Sequence, residues 1–133
     1  WTLIRPPGHQ TKAPEKIAWK AFDKVEIFNL IGAGKVVFVD VTADWCLTCK
    51  VNKALVIDRG RVGHHLGVGN VVAMRADWTR PNPEISAYLQ RFGRFGIPFN
   101  VVYGPGRPSG IALPELLTEA RVMDAFTRAG LKK

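Results

Sequence analysis

The sequence predicts an α/β domain in which a central mixed β-sheet is flanked by helices. Three short runs rich in apolar and β-branched residues, at 36–41, 70–76 and 99–103, have the composition of strands covered on both faces. The segments between them repeat apolar residues at three- and four-residue spacing, which indicates amphipathic helices. Strands that alternate with helices in this way are typical of layered α/β domains.

The length of 133 residues suffices for one domain with its own hydrophobic core. We expect residues 1–16, which contain three prolines and a glycine without periodicity, to form an N-terminal arm or linker. Residues 17–133 are expected to form the domain. The abrupt start suggests a segment cut from a longer protein, whose targeting signals would lie elsewhere. No apolar run approaches the roughly 20 residues of a membrane-spanning helix.

Several helix starts are marked by capping residues. Residues 17–22 predict a short strand, after which Asp23 and Glu26 match the capping box of a first helix. Asn82 followed by Pro83 gives an N-cap and a proline at the first helical position, a strong start signal.

Two further helices are expected. One begins at Asp58 and ends near Leu66, and the other begins at Thr118, with Pro114 as the alternative start and an edge strand at 110–113 before it. Apolar spacing then predicts which side of each helix is buried. The predicted buried residues are Val25, Phe28 and Ile31; Val51, Ala54 and Leu55; Ile85, Tyr88, Leu89 and Phe92; and Val122, Met123, Phe126 and Ala129.

The formal net charge is +8, from 19 Lys and Arg against 11 Asp and Glu. The basic residues are scattered, with no run of four or more and no nucleic-acid-binding motif, so we expect no nucleic-acid partner. A solvated basic face, or attraction to acidic partners or an anionic membrane surface, accounts for the charge.

The only two cysteines lie in the stretch VTADWCLTCK, at Cys46 and Cys49. A structural staple is disfavoured because so short a loop constrains the unfolded chain little. A zinc site is disfavoured because about four ligands are needed and no second Cys-x-x-Cys exists. An inert buried pair and a pair that cycles between dithiol and disulfide remain, and the strand-to-helix junction favours cycling.

At such a junction Cys46 lies at a helix N-terminus, where backbone N–H groups and the helix dipole stabilise a thiolate. Cys49 lies one turn further along and is expected to be more buried. We therefore predict that Cys46 attacks a partner disulfide and that Cys49 resolves the mixed disulfide. Neither step needs a metal or another cofactor.

Two features outside the motif support redox chemistry. Asp40, inside the apolar run, is expected to have a raised pKa and to exchange a proton with Cys49, unless it is a strand-end acid that faces water. Ile97-Pro98 precedes the strand at 99–103, and a cis bond there would leave backbone groups free for an extended substrate, whereas a trans proline at a strand start is the plainer alternative. The tripeptide Ala-Asp-Trp occurs at 43–45 and again at 76–78, which we interpreted as coincidence.

Together these residues resemble the thioredoxin superfamily, and more narrowly the C-terminal periplasmic domain of the DsbD family of transmembrane thiol:disulfide reductants. That family typically shows Ala-Asp-Trp-Cys-x-x-Cys-Lys, which residues 43–50 match. The resemblance covers roughly residues 17–130. It implies a thioredoxin-like fold, with Cys46 as the attacking thiol, Cys49 as the resolving thiol, Asp40 as the buried acid and Pro98 as a cis proline. Beside that proline, Trp45 and Ile97 are expected to contact the substrate.

The resemblance also implies a place in an electron relay. A membrane-embedded domain of the same polypeptide would be the electron donor, and a periplasmic redox domain or protein the acceptor. The chain would then be a periplasmic domain of a bacterial inner-membrane protein. A free-standing thioredoxin-like reductase or isomerase is the alternative, and a redox-inactive binding module is a third.

The sequence departs from the family at two positions. Lys53 stands where some members carry a glutamate, and Phe99 follows the proline where threonine is common. A cation at position 53 should favour the thiolate, so the redox tuning is expected to differ. The stretch at 113–117, LPELL, leans toward the copper-tolerance (ScsB-like) branch of the family.

Overall fold

A computed structural model describes residues 16–132, so the predicted arm lies outside the described residues except for Lys16. The strands are β1 (Lys20–Ala21), β2 (Val36–Thr42), β3 (Val71–Asp77), β4 (Phe99–Gly104) and β5 (Arg107–Ala112). The helices are α1 (Lys24–Gly32), α2 (Leu47–Asn52), α3 (Gly60–Val68), α4 (Pro83–Arg91) and α5 (Glu119–Ala129), and a π-helical turn, Lys53–Ile57, continues α2. No helix within residues 16–132 is long and apolar enough to cross a membrane.

The five strands form one mixed sheet in the order β1-β3-β2-β4-β5. Strands β1, β3 and β2 run parallel, whereas β4 is antiparallel to β2, and β5 to β4. This confirms the predicted α/β architecture with a mixed sheet. The predicted strand at 17–22 is shorter than expected, and the edge strand is longer and begins at Arg107.

Strand β2 lies at the centre of the sheet, and six of its seven residues are buried. Because side chains alternate between faces, Phe38 points to one core and Val39 to the other. The Phe38 core lies under α3 and α5, whereas the Val39 core packs against residues of α1 and α4. Two-sided burial is the reason why the strand reads as a continuous apolar run.

The predicted helix starts are confirmed where a side chain caps the backbone. The Asp23 carboxylate accepts from the N–H groups of Val25 and Glu26, and Asn82 and Thr118 cap α4 and α5 in the same way. The start predicted at Asp58 is wrong, because α3 begins at Gly60 without a side-chain cap. The Asp58 carboxylate instead pairs with Lys53.

The buried faces predicted for α4 and α5 are confirmed, with Phe92 and Met123 only partly buried. The face predicted for α1 is wrong for Val25 and Phe28, which are 68% and 76% exposed, whereas Ile31 packs against the core as predicted and Ile27 is buried. This helix carries two overlapping apolar stripes, and the stripe through Ile27 is the one that packs against the sheet.

The face predicted for α2 is also wrong, because Val51 and Leu55 are exposed. The buried side carries Cys49 and Asn52. Asn52 donates to the carbonyl of Glu115 at 2.8 Å and accepts from the N–H of Leu117 at 3.1 Å, so its burial leaves no polar atom unpaired. Because the inner side of α2 carries the polar residue Asn52, the spacing of apolar residues predicts the wrong face.

Candidate active site

Cys46 and Cys49 form a disulfide where the loop after β2 enters α2. Cys46 is the N-cap of α2 in an extended conformation, and its sulfur accepts from the N–H of Cys49 at 3.2 Å. The two residues are 6% and 5% exposed, so Cys49 is more buried than Cys46 by a negligible margin. What distinguishes Cys46 is its position at the helix N-terminus, where an N–H points at its sulfur.

Trp45 and Ile97 lie beside the disulfide. The side chain of Ile97 packs against the buried cluster of Ala43, Cys46 and Cys49. Trp45 is 62% exposed, and its indole Nε1 donates to the carbonyl of Thr79 at 3.1 Å. The Ile97–Pro98 peptide bond is cis, as the resemblance implied, and the trans alternative does not apply. The structure thus brings together the two cysteines and the three residues expected at the substrate site.

The second Ala-Asp-Trp tripeptide also belongs to this region. Strands β2 and β3 pair in parallel, with Thr42 opposite Asp77, so both tripeptides leave the sheet at the same edge. The Thr79 hydroxyl accepts from the N–H of Asp44 at 2.9 Å and donates to the Asp77 carboxylate at 2.5 Å. The second copy therefore supports the loop that presents the cysteines. The signal is visible in the sequence, as two equal motifs after two predicted strands, so the interpretation as coincidence is wrong.

A groove opens between the two tryptophans and the loop before β4. Its volume is about 590 Å³. Trp45, Trp78, Phe95 and Ile97 give it mainly apolar walls, and Phe95 is 81% exposed. Exposed aromatic walls of this kind suit an extended peptide segment better than a small polar ligand.

Asp40 lies on β2, two residues before the strand ends, and is only 6% exposed. The Asn100 side-chain amide donates to its Oδ1 at 2.7 Å. Burial raises the pKa of Asp40 from 3.8 to about 6, against the opposing effects of the Asn100 hydrogen bond and the positive charges of Arg75 and Lys53. The alternative of a strand-end acid that faces water is therefore wrong.

A cleft of about 290 Å³ lies beside this carboxyl group and reaches Cys49. Asp40, Cys49, Lys53, Arg75 and Asp77 are among the residues that line it. The volume is enough for several water molecules with polar partners, so protons have a route between Asp40 and solvent. Asp77, at the mouth, is held ionised because hydrogen bonds from Thr79 lower its pKa.

Within residues 16–132, no group of three or more His, Cys, Asp or Glu side chains is arranged to hold a metal ion. The cysteine pair can carry out thiol–disulfide exchange, and the Asp40 carboxyl group can bind or release a proton.

Comparison with known proteins identifies the family. The family described as Thioredoxin-like matches residues 29–105. Thiol:disulfide interchange protein DsbD 1 of Pseudomonas aeruginosa is 36% identical over 74 residues, which cover 56% of this chain and 12% of that protein. DsbD of Ralstonia nicotianae is 34% identical over 70 residues, covering 53% of this chain and 11% of the relative.

Solved structures agree on the fold. The oxidised C-terminal domain of DsbD from Neisseria meningitidis superposes with a TM-score of 0.64 at 23% identity, covering 84% of this chain and 99% of that domain. A mutant thioredoxin from Halobacterium salinarum gives a TM-score of 0.60 at 18% identity, covering 91% of this chain and 97% of that one. At these identities the likeness shows the fold alone.

The chain matches only about a tenth of the length of these DsbD relatives, so their overall activity does not transfer to it directly. The family match, by contrast, spans more than half of the chain and includes both cysteines, Asp40 and the Ile97–Pro98 loop. With a disulfide at the helix N-terminus and a mixed sheet of matching topology, the chain belongs to the thioredoxin-like family.

Proposed function

We propose that this chain is a thiol–disulfide oxidoreductase domain of an electron relay. Electrons reach it from a membrane-embedded domain of the same polypeptide and leave it for a periplasmic redox domain or protein. The observation that carries this proposal is the Cys46–Cys49 disulfide at the start of α2, beside an apolar groove and above a buried carboxyl group. The chain would be the periplasmic part of a bacterial inner-membrane protein.

The chemistry begins with the reduced pair. The Cys46 thiolate attacks one sulfur of the partner's disulfide, forms a mixed disulfide and expels the partner's first thiolate. Cys49 loses its proton and attacks the Cys46 sulfur, which releases the partner's second thiolate. The partner gains two electrons, its two thiolates take up the proton released by Cys49 and a second proton from water, and this chain ends as the Cys46–Cys49 disulfide. A donor dithiol reverses these steps and restores the reduced pair.

Asp40 is the proton acceptor for Cys49. A base is most effective when its pKa lies near the working pH, and burial brings the pKa of Asp40 to about 6. The cleft that both residues line allows the proton to pass on to water. Without this acceptor, Cys49 would remain a thiol, which is a poor nucleophile.

Trp45, Ile97 and Pro98 form the substrate-binding surface. Ile97 touches the cysteine cluster, so a partner whose disulfide reaches Cys46 must pass over it. Pro98 has no backbone N–H, which leaves neighbouring backbone groups available to an extended chain. The groove between Trp45 and Trp78 receives the apolar side chains next to the partner's cysteine.

The relatives support the relay rather than a free-standing reductase. The curated relatives that match about half of this chain carry the name thiol:disulfide interchange protein DsbD, and the Neisseria structures are C-terminal domains of DsbD. The ScsB-like branch suggested by the stretch at 113–117 stays a prediction.

Titration with the disulfide reagent 5,5′-dithiobis(2-nitrobenzoate) tests the two cysteine roles. The reduced wild type should release about two equivalents of thionitrobenzoate per chain, because Cys49 resolves the adduct on Cys46. Cys49→Ala should release about one equivalent and keep a stable adduct. Cys46→Ala should react much more slowly. A Cys49→Ala chain that forms no lasting adduct contradicts the assigned roles.

Insulin reduction separates the alternatives. A relay domain should be strongly reducing in equilibrium with dithiothreitol, yet slow on insulin. A free-standing reductase would reduce insulin rapidly, and a redox-inactive binding module would show no reversible cycling between dithiol and disulfide.

A further inference from the structure

Asn100 is a buried polar residue next to the Asp40 carboxyl group. Its side chain is fully buried in β4. The amide nitrogen donates to Asp40 at 2.7 Å, whereas the amide oxygen has no hydrogen-bond partner. Asn52, the other buried amide among the described residues, has both its polar atoms paired. An unpaired buried oxygen is costly, so its presence at Asn100 needs an explanation.

The position of Asn100 is set by the sheet register. Asp40 pairs with Arg75 of β3 on one side and with Asn100 of β4 on the other. Paired residues of neighbouring strands point to the same face, so the three side chains form one row across the centre of the sheet. The row lies on the face that carries Phe38 and Val102 and that packs beneath the π-helical turn.

A side-chain amide can pair with either protonation state of a carboxyl group. When Asp40 is ionised, the Asn100 NH₂ group donates to it, as the structure shows. When Asp40 carries a proton, a half-turn of the amide allows its oxygen to accept from the Asp40 O–H. The oxygen that lacks a partner in one state is then the acceptor in the other.

We propose that Asn100 is a positioning residue that holds the Asp40 carboxyl group in both protonation states while a proton passes between Cys49 and Asp40. This rests on the proposed function. The proton leaves the Cys49 thiol, binds the Asp40 carboxylate and passes to water in the cleft, and no other bond is made or broken. An apolar residue at position 100 would pair with neither state.

Other charged groups also affect the pKa of Asp40, so these residues stay unchanged in the test. Arg75 acts from β3, Lys53 from the π-helical turn and Asp58 from the end of that turn, while Cys49 shares the cleft. Of these neighbours, Asn100 is the hydrogen-bond donor to the carboxylate, and its effect exceeds that of each cation. Removal of the Asn100 amide is therefore expected to raise the pKa of Asp40.

The test compares Asn100→Leu with the wild type in two measurements. The rate at which Cys49 resolves a mixed disulfide is followed against pH by tryptophan fluorescence. We expect the acid limb to move up by about one pH unit, so that the rate is about fivefold slower at pH 6 and changes little above pH 9. Carbon-13 NMR of the oxidised chain should show the same upward move for the Asp40 carboxyl group.

Val102→Ala is the matched control. Val102 lies on the same face of β4, two residues further along, and is fully buried. It should lower stability without moving the acid limb or the Asp40 titration. In an Asp40→Asn background, Asn100→Leu should leave the pH profile unchanged.

An Asn100→Leu chain that is less stable but titrates as the wild type does would overturn the proposal. If that variant does not fold, NMR of the wild type tests the proposal by itself. The nitrogen-15 chemical shift of the Asn100 side-chain amide should then change with pH at the midpoint of the Asp40 titration. An amide resonance that ignores the Asp40 titration also overturns it. The NMR experiments use the oxidised chain, so they remain decisive even if disulfide cycling, and with it the proposed function, fails.

Discussion

The two faces of the sheet each bury a hydrogen-bonded pair of polar side chains, with opposite consequences. On the cysteine side, Asp40 pairs with Asn100 at 2.7 Å. On the other side, the hydroxyl groups of Tyr88 and Tyr103 meet at 2.5 Å within an aromatic cluster. Both pairs join β-sheet residues to a neighbour that is distant in sequence, and all four side chains are buried.

The difference lies in the pKa from which each group starts. Burial raises the pKa of Tyr88 and Tyr103 above 10.0, further from neutrality, so the tyrosine pair stays uncharged at any physiological pH. The same physical effect raises the pKa of Asp40 from 3.8 to about 6, toward neutrality. Burial thus makes the tyrosines a permanent structural contact, whereas it brings the pKa of Asp40 into the range that the proposed proton transfer from Cys49 requires.

The largest expected effect comes from Asp40→Asn. An amide cannot accept the Cys49 proton, so resolution of a mixed disulfide at pH 7 should slow by at least about a hundredfold. Stopped-flow tryptophan fluorescence after mixing with a disulfide reagent measures that rate.

Tyr103→Phe is the control from the other face and should stay within about twofold of the wild type, because Tyr103 is remote from the proton route. Equal slowing by both variants would mean that general loss of packing, rather than proton transfer, limits the rate.

The same Asp40→Asn variant should be more stable than the wild type at pH 7. The folded chain holds the Asp40 proton more tightly than the unfolded chain, so the contribution of Asp40 is fully favourable below about pH 4 and is lost as the pH rises through 6. At about 1.4 kcal/mol per pKa unit, the loss at pH 7 is on the order of 3 kcal/mol. Urea unfolding of the oxidised chains from pH 3 to 8 measures the difference, which should vanish at the acid end.

Tyr103→Phe should lower the free energy of unfolding by about 1–2 kcal/mol, since the Tyr88 hydroxyl loses its buried partner. Neither tyrosine titrates near neutrality, so this loss should be the same at pH 5 and pH 8. A pH-dependent loss would remove the contrast between the two faces. The same urea series provides the measurement.

Arg75→Gln is expected to have the smallest effect. The Arg75 charge lowers the pKa of Asp40 less than the Asn100 hydrogen bond does. Its loss should move the acid limb of the resolution rate upward by a few tenths of a pH unit, about twofold at pH 6. Arg91→Gln removes a cation that lowers the pKa values of Tyr88 and Tyr103, and it should not move the acid limb of the resolution rate. A larger shift for Arg75→Gln than for Asn100→Leu would reverse the ranking.

Much of the site followed from local sequence. The Cys-x-x-Cys pair, the acid in an apolar run and Ile97-Pro98 are short motifs whose chemistry depends on the residues themselves. The structure places Trp45 and Ile97 beside Cys46. Asp40 lines the same cleft as Cys49. Thr79 and Asn100 could not be predicted as site residues, because nothing near them in the chain indicates a role. The pairing of β2 with β3 and β4 brings them to the site.

The sequence by itself determined the strands, the capped helix starts and the reactive cysteine pair, because β-branched runs, N-caps and motif spacing act over a few residues. Only the tertiary structure decided which stripe of α1 is buried, that Asn52 points inward, and which neighbours Asp40 has in the sheet. Those choices depend on register and on packing between distant segments. They set the desolvation and the hydrogen bond that together fix the pKa of Asp40.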